Sequence, residues 1–417
     1  MIVELLTFGD ELLDGRRVDT NTAWLGRRFT KHGIPPRFRQ TTSDRRDDIV
    51  SAFRLALERS DFIVSTGGLG PTTDDVTFEA LAKALDLPLV FREEIFPRIE
   101  ARFHERGLRC PEANRRQAYL PAGALEIRND WGTAPGIRLD VGKKVIFCLP
   151  GVPVEMENLF DTGVRPEIER RLPETERRVE KIYRFMGLGE TFVAEAIQKC
   201  KLESIPGGEI RVAYTVTFPV VDVALSVLPD LPENAGRILA AADAAIRSEL
   251  KDHLLAEGNS SPEQRLLTLL KERDRTLAVA ESVTGGMITA QLVNVPGSSE
   301  VLRGAVVAYS NESKVALLEV RPSTLTEFGA VSEACALEMA RGAKLKFGSD
   351  YAIATTGIAG PGGATAEKPA GLTFIAWVGP DLELVRRYHF RWERNRNRMA
   401  ATYESFRELI RHFTEEK

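Results

Sequence analysis

The sequence predicts an α/β protein built from several domains. Two long stretches, residues 1–168 and 262–417, alternate short apolar runs with helical patterns, as expected of strands connected by helices. The part between them differs, because it carries two β-rich runs, Arg211–Phe218 and Val221–Leu228. A chain of 417 residues also favours two to four domains. We therefore expect three domains, covering residues 1–168, 169–255 and 256–417.

The first domain is predicted to hold a mostly parallel, doubly wound sheet. Apolar runs predict strands over Ile2–Phe8, Phe62–Thr66 and Lys144–Leu149. Periodic apolar positions predict helices over Asn21–His32, Arg46–Glu58, Asp75–Leu85 and Val154–Phe160. In such sheets ligands bind beyond the carboxyl ends of the strands, so the loops that follow these strands are the expected site.

The other two domains follow from the same patterns. The β-rich runs and a helical pattern over Pro232–Leu250 predict a small α+β module. Residues 256–262 predict a linker, which ends in Ser261 before Pro262, a pair suited to a helix start. Beyond it we expect helices and strands over Glu263–Arg273, Thr276–Ala280, Thr289–Val293, Gly304–Tyr309, Glu333–Phe347, Tyr351–Thr356, Thr373–Trp377, Leu384–Phe390 and Arg396–Phe413.

Composition excludes several classes of protein. Hydrophobic residues at 43% and charged residues at 28% are typical of a globular protein. The net charge of −4 gives no general attraction to nucleic acid or to an anionic membrane. Four widely spaced cysteines without a CxxC pair argue against zinc and against a disulfide framework. With no long apolar run and no basic leader, we expect a cytoplasmic protein without a membrane span, and a homodimer as the default assembly.

One serine and one lysine in the last domain suggest nucleophilic catalysis. Ser282 follows an apolar run and precedes the pair Gly285–Gly286, and Lys314 lies 32 residues further on. A buried lysine with a lowered pKa can deprotonate a serine, and amides of a glycine turn can stabilise an oxyanion. The alternative is a helix cap and a surface lysine.

Two further segments of this domain suit a nucleotide ligand. A loop after the strand Tyr351–Ala354 carries four glycines, whose backbone amides can approach a phosphate. These glycines are Gly357, Gly360, Gly362 and Gly363. In the basic run that follows, Arg394 or Arg398 could clamp a phosphate or a carboxylate. The alternatives are an ordinary glycine turn and a solvated helix face.

Glycines and carboxylates also follow strands of the first domain. Their pattern suits phosphate together with a hard divalent cation that bridges to phosphate oxygens. The candidate phosphate contacts are Gly67, Gly68, Gly70 and Thr72, and the candidate metal ligands are Asp74, Asp75, Asp10 and Asp19. The alternative for Asp74–Asp75 is a charge pair at the start of a helix.

Four motifs in the last domain together resemble one family. In order they read AESVTGG (280–286), AVVAYSNESK (305–314), GAVSE (329–333) and TTGIAGPGGATAEKPAG (355–371). They resemble the C-terminal domain of the CinA family, a nicotinamide mononucleotide (NMN) amidohydrolase. The resemblance implies that Ser282 is the nucleophile and Lys314 its base, assisted by Tyr309 and Thr284, with no metal. Amides of Gly285 and Gly286 would form the oxyanion hole, and the Gly357–Gly363 loop would hold the nucleotide. The chain departs from the family at Val283, where cysteine is common.

The first domain resembles the same family at its other end. The motifs are GDELLDG (9–15), TGGLGPTTDD (66–75), GTAPG (132–136) and LPGVPVEM (149–156). They are similar to the molybdopterin-binding-like domain of CinA proteins, which implies a three-layer α/β fold and metal-dependent hydrolysis of ADP-ribose. Asp74 and Asp75 would be the first metal candidates. The middle module resembles the family's KH-like domain but lacks a clear GxxG loop, so we expect no nucleic-acid partner.

The resulting hypothesis is a hydrolase with two sites, one for NMN and one for ADP-ribose. Two alternatives remain open. One is a molybdopterin-handling enzyme with an accessory C-terminal domain. The other is a competence- or DNA-damage-linked interaction protein without catalysis.

Overall fold

The computed structural model describes residues 1–172, 178–258 and 260–415. They form two compact units. The first comprises residues 1–180, 207–209 and 227–235, and the second comprises residues 181–206, 210–226 and 236–417. The division into three domains stays a prediction. In the described part of the chain, no helix combines the length and the apolar character that crossing a bilayer requires.

The described residues alternate strands and helices along the chain. The strands are β1 Val3–Phe8, β2 Phe38–Thr42, β3 Phe62–Thr66, β4 Leu89–Phe91, β5 Tyr119–Pro121, β6 Leu125–Ile127, β7 Gly136–Val141, β8 Lys144–Leu149, β9 Val179–Met186, β10 Gly208–Thr217, β11 Val220–Pro229, β12 Leu254–Glu257, β13 Leu277–Glu281, β14 Leu302–Val307, β15 Tyr351–Gly357, β16 Leu372–Val378 and β17 Glu383–His389. The helices are α1 Asp10–Leu13, α2 Thr20–Lys31, α3 Arg46–Arg59, α4 Thr77–Ala84, α5 Phe96–Glu105, α6 Pro153–Leu159, α7 Arg165–Arg171, α8 Glu190–Lys199, α9 Asn234–Leu250, α10 Pro262–Glu272, α11 Met287–Val293, α12 Asn311–Leu318, α13 Pro322–Glu327, α14 Glu333–Phe347 and α15 Arg394–Glu415.

The first unit is a three-layer α/β fold. Its six-stranded sheet has the order β2-β1-β3-β8-β7-β6, in which the β2-β1-β3-β8 pairs are parallel and the β8-β7-β6 pairs antiparallel. One face packs on α3, α4 and α5 through residues such as Phe53 and Leu81. The other face packs on α2, α6 and α7 through residues such as Phe29 and Leu159. The predicted mostly parallel sheet with helices on both faces is therefore confirmed.

The second unit contains a four-stranded and a five-stranded sheet. The five-stranded sheet has the order β14-β13-β15-β16-β17, with β14, β13 and β15 parallel and β16 and β17 antiparallel. Helices cover both of its faces, α10, α11 and α15 on one side and α12 and α14 on the other. Parallel neighbours end at one edge of a sheet, so the loops after β13, β14 and β15 come together.

The four-stranded sheet has the order β10-β11-β9-β12, and α8 and α9 share its core. β12 includes the first two residues of the segment 256–262 that we expected to be a linker, and Ala256 is buried. Asn259 of that linker lies outside the described residues. The helix start predicted at Pro262 is confirmed, and the Ser261 side chain accepts the amide hydrogen of Gln264.

Candidate active site

Ser282 lies in the turn directly after β13 and contacts Lys314. The lysine Nζ is 3.1 Å from the serine Oγ. Ser282 is 8% exposed and Lys314 is 1% exposed. The turn is fixed to the neighbouring strand, because the Ser282 amide donates to the Thr355 carbonyl at 3.0 Å. Two side chains that are 32 residues apart in sequence thus form one buried pair.

The surroundings of Lys314 favour its neutral amine. Besides Ser282, Nζ donates to the carbonyl oxygens of Ala308 at 2.9 Å and Tyr309 at 3.2 Å. A neutral amine has two hydrogens for these carbonyls and one lone pair left for the Ser282 hydroxyl hydrogen. Burial lowers the pKa of Lys314 below the usual lysine range, although Cys335 and Glu312 act in the opposite direction.

Lys314 is positioned by the first turn of α12. Ser310 caps this helix, since its hydroxyl accepts from the Ser313 amide, and the Ser313 hydroxyl accepts from the Ser310 amide in return. This reciprocal cap sets where the helix begins. Lys314 follows one residue later, and its side chain runs back along the helix towards β14.

Glu281, the last residue of β13, is a buried carboxylate that the sequence patterns did not reveal. Its carboxylate accepts from the amides of Gly286 at 2.9 Å, Ile288 at 3.1 Å and Thr289 at 2.9 Å, and from the Thr289 hydroxyl at 2.6 Å. It is fully buried and satisfies the amides at the start of α11. The signal that could have revealed it is an acidic residue directly before a glycine turn and a helix.

These contacts change the expected oxyanion hole. The Gly285 amide donates to the Ser282 carbonyl at 3.1 Å, and the Gly286 amide donates to Glu281. Both amides that we expected to face an oxyanion therefore already have acceptors. In the described part of the chain, the amides of Val283 and Thr284 have none. Positive φ angles at Gly285 (60°) and Gly286 (92°) explain why glycine occupies both positions.

Thr284 stabilises the turn and does not contact the serine–lysine pair. Its side chain is fully buried and lies 2.8 Å from the hydroxyl of Thr355. Its carbonyl accepts from the Nη2 of Arg398 at 2.8 Å. The Thr284 side chain thus has the contacts of a positioning group, and a catalytic role for this residue stays a prediction.

Arg394 connects the two other predicted segments of this site. Its guanidinium donates to the Gly360 carbonyl at 2.9 Å and to the Tyr309 hydroxyl at 3.1 Å. Tyr309 is 63% exposed. The serine turn, the Tyr309–Lys314 segment, the glycine loop and the basic run are therefore neighbours.

The four glycines of the loop have different surroundings. Gly357 lies within β15, where an added Cβ would come 2.6 Å from the Leu372 carbonyl, so strand pairing alone requires it. Gly360 is buried next to Arg394, whereas Gly362 and Gly363 are exposed.

A groove of about 570 Å³ lies at the carboxyl ends of β1, β3 and β8 in the first unit. Three predicted glycines line it, Gly67, Gly68 and Gly70. Asn21 joins two of its walls by donating to the Thr66 hydroxyl at 3.0 Å and the Gly151 carbonyl at 2.8 Å. The loops after these strands therefore line one groove, and ligand binding there stays a prediction.

The carboxylates around this groove differ from the predicted set. The carboxylates that line it are Glu11, Asp19, Asp75 and Glu155. The predicted ligands Asp10 and Asp74 do not line it, and neither does the predicted phosphate contact Thr72. Both missed residues, Glu11 and Glu155, stand inside the motifs that carried the resemblance.

Hydrogen bonds already engage the aspartates. Asp75 accepts from the Thr72 amide at 2.9 Å and hydroxyl at 2.6 Å, and the Thr72 hydroxyl also bonds Asp74 and lowers its pKa. Burial would raise the pKa of Asp19, but bonds from Thr22 and the charge of Arg39 keep it below its usual range. Within residues 1–172, 178–258 and 260–415, no group of three or more His, Cys, Asp or Glu side chains could hold a metal ion. The groove thus fits only a cation that takes most of its ligands from water and substrate phosphate.

Comparison with known proteins matches a family model to each end of the chain. Residues 259–413 match the model of the CinA C-terminal domain, and residues 4–170 match that of a probable molybdopterin binding domain. A CinA-like protein of Dictyoglomus turgidum is 39% identical over 403 residues, which cover 96% of this chain and 97% of that protein. A putative competence-damage inducible protein of Halothermothrix orenii is 36% identical over 420 residues, covering 99% and 98%.

A solved structure of CinA from Thermoplasma acidophilum, whose function is unknown, is 40% identical; the match covers 40% of this chain and 96% of that one, with a TM-score of 0.37. Since the full-length relatives span nearly the whole chain at well over 30% identity, this protein belongs to the CinA family, with a molybdopterin-binding-like domain at its N-terminus and a CinA domain at its C-terminus.

Proposed function

We propose that this protein hydrolyses the carboxamide of NMN to nicotinic acid mononucleotide and ammonia at the Ser282–Lys314 pair. The observation that carries the proposal is the 3.1 Å contact between Lys314 Nζ and Ser282 Oγ in a buried setting. The other partners of Nζ are two carbonyls. A lysine in such surroundings serves as a general base because burial favours its neutral form.

The first half of the reaction acylates the serine. Lys314 takes the hydroxyl proton while Ser282 Oγ attacks the carboxamide carbon and forms a tetrahedral oxyanion. The lysine ammonium then gives that proton to the amide nitrogen. The C–N bond breaks, ammonia leaves, and a serine ester of the nicotinate ring remains.

The second half releases the acid by the same proton route. Lys314, neutral again, takes a proton from a water that attacks the ester carbon. The C–O bond to Ser282 breaks, and the proton returns to the serine oxygen. Nicotinic acid mononucleotide leaves, and both side chains regain their starting states.

The amides of Val283 and Thr284 are the proposed oxyanion donors. They follow Ser282 directly and have no other acceptor among the described residues. Amides held in a rigid turn stabilise the developing charge without reorganising. We therefore expect valine at position 283 to be compatible with activity, since only its main chain would take part.

Tyr309 and Arg394 are the proposed contacts for the nucleotide. The Arg394 guanidinium donates two of its five N–H groups to Gly360 and Tyr309, which leaves three that can bind a phosphate. The exposed phenol ring beside it offers a surface for the pyridinium ring or the ribose.

The groove of the first unit is the proposed site for ADP-ribose pyrophosphate hydrolysis. Its volume of about 570 Å³ and its glycine-lined wall suit a nucleotide diphosphate. A divalent cation at Asp75, beside Glu11 or Asp19, would supply charge neutralisation for the pyrophosphate. Asp75 ranks first because it lines the groove and its carboxylate lies beside Gly70.

Ammonia release from NMN, with ADP-ribose cleavage as the internal control, tests the proposal. Purified full-length protein and Ser282→Ala are compared with EDTA present in the NMN assay and a divalent salt present in the ADP-ribose assay. The variant should lose ammonia release by about 10³-fold or more. It should keep ADP-ribose cleavage. Loss of both activities in a folded variant would contradict two independent sites.

A further inference from the structure

The segment 392–398 carries the two arginines that reach the serine site. Inside the unit it is held by Asn397, which is 2% exposed. The amide group of Asn397 donates to the carbonyls of Ala359 at 3.0 Å and Trp392 at 2.9 Å, and it accepts from the Trp392 amide at 3.0 Å. Asn397 therefore links the glycine loop, Trp392 and the start of α15 by hydrogen bonds.

The outer side of this segment is covered by a residue of the middle module. Phe218 lies in the two-residue turn between β10 and β11. Its ring packs edge-on against Trp392, with 4.9 Å between the ring centroids and 74° between the planes. The guanidinium carbon of Arg396 lies 5.3 Å from the centre of the Phe218 ring.

The hairpin is anchored close to this contact. Val220, two residues after Phe218, is 6% exposed and belongs to the hydrophobic core that contains Phe390, Ala400 and Ala401. The turn of the hairpin therefore has a fixed position against the start of α15. Trp392 is 48% exposed, and its ring contacts Phe218 and also stacks on Phe390, with 6.0 Å between the ring centroids.

We propose that Phe218 is a positioning residue of the amidase site, through which the middle module holds Arg394 in place. The chain of contacts runs from Phe218 to Trp392 and Arg396, and from that segment through Arg394 to Gly360 and Tyr309. This inference rests on the proposed NMN hydrolysis for its kinetic consequence, but its structural content does not depend on the substrate.

Two measurements on full-length Phe218→Ala test the proposal. The first is the split between KM and kcat for NMN. Losing an aromatic contact of this kind should raise KM about three- to tenfold, while kcat stays within about twofold. The second is hydrogen–deuterium exchange of peptides that cover 392–398, which should become faster. Phe218→Tyr, which keeps the ring, should restore both values.

Val216→Ala is the matched control, since Val216 lies on the same hairpin and is 50% exposed. It should leave KM and exchange unchanged. Wild-type KM and exchange in Phe218→Ala would overturn the proposal, and so would a fall in kcat alone together with a lower Tm. If the wild-type protein releases no ammonia, the proposed function fails. The exchange measurement on Phe218→Ala then tests the positioning role by itself. Faster exchange in 392–398 supports this role, and unchanged exchange overturns it.

Discussion

The guanidinium of Arg398 donates two hydrogen bonds to the main-chain carbonyl of Thr284, from Nη2 at 2.8 Å and from Nε at 3.3 Å. The two residues are 114 positions apart, and the contact ties the serine turn to the last helix of the chain. Because the Thr284 amide belongs to the proposed oxyanion hole, Arg398 fixes the plane of the adjoining peptide.

We expect Arg398→Lys to lower kcat for NMN by about tenfold, since a lysine gives a single bond where the guanidinium gives a fork. KM should change less than kcat. Arg341→Lys is the control, because it alters only a half-exposed ion pair with Glu383. Steady-state ammonia release measures both variants. Equal kinetics for Arg398→Lys and the wild type would show that the contact is not needed for turnover.

The pKa of Lys314 predicts the pH dependence. Burial lowers this pKa, and the neutral amine is the active base, so kcat/KM should rise with pH through a value below the ordinary lysine range. Below that value the ammonium form accumulates and activity falls. Lys314→Met should lose ammonia release by about 10³-fold or more at every pH. A profile that falls with rising pH over this range would exclude Lys314 as the base.

Glu281 should be important for the stability of the fold. In Glu281→Gln, the amide NH₂ replaces one carboxylate oxygen that accepts from the amides at the start of α11, leaving buried donors facing donors. We expect a loss of about 1–3 kcal/mol in the free energy of unfolding, measured by urea denaturation. Glu327→Gln, at an exposed position, should change it by no more than about 0.5 kcal/mol. A wild-type unfolding curve for Glu281→Gln would show that the carboxylate charge is not required.

Asp75 and Asp74 form a matched pair for the first unit. Asp75 lines the groove and Asp74 does not, although both bond to Thr72. We expect Asp75→Asn to reduce metal-dependent ADP-ribose cleavage by about 10²-fold and Asp74→Asn by less than about threefold. The readout is AMP formation at saturating divalent salt. The reverse order would move the proposed ligand to Asp74.

Long periodic segments made much of the fold predictable. The helices expected at Arg46–Glu58 and Glu333–Phe347 lie within one residue of α3 and α14, because their apolar faces repeat over three or more turns. Short strands such as β4 and β6 were missed, since three residues with partly exposed side chains carry no clear period.

Candidate site residues could be predicted where the chemistry follows from the residue type itself. They could not be predicted where the role of a residue depends on its neighbours in the fold. Ser282, Lys314 and Arg394 follow from motifs, and the structure brings them together. That Glu281 occupies the amide of Gly286 depends on how its side chain turns back over the start of α11, which spacing alone does not determine. For the same reason the sequence could not separate Asp75 from Asp74 beside the groove.

Ammonia release from NMN by the purified full-length protein, measured with EDTA present beside Ser282→Ala, decides whether the Ser282–Lys314 pair is an amidase site. We expect steady release by the wild type and a loss of about 10³-fold or more in the variant. Folding of the variant is checked by an unchanged Tm. Release that persists in Ser282→Ala, or no release by the wild-type protein, would contradict a serine–lysine amidase at this site.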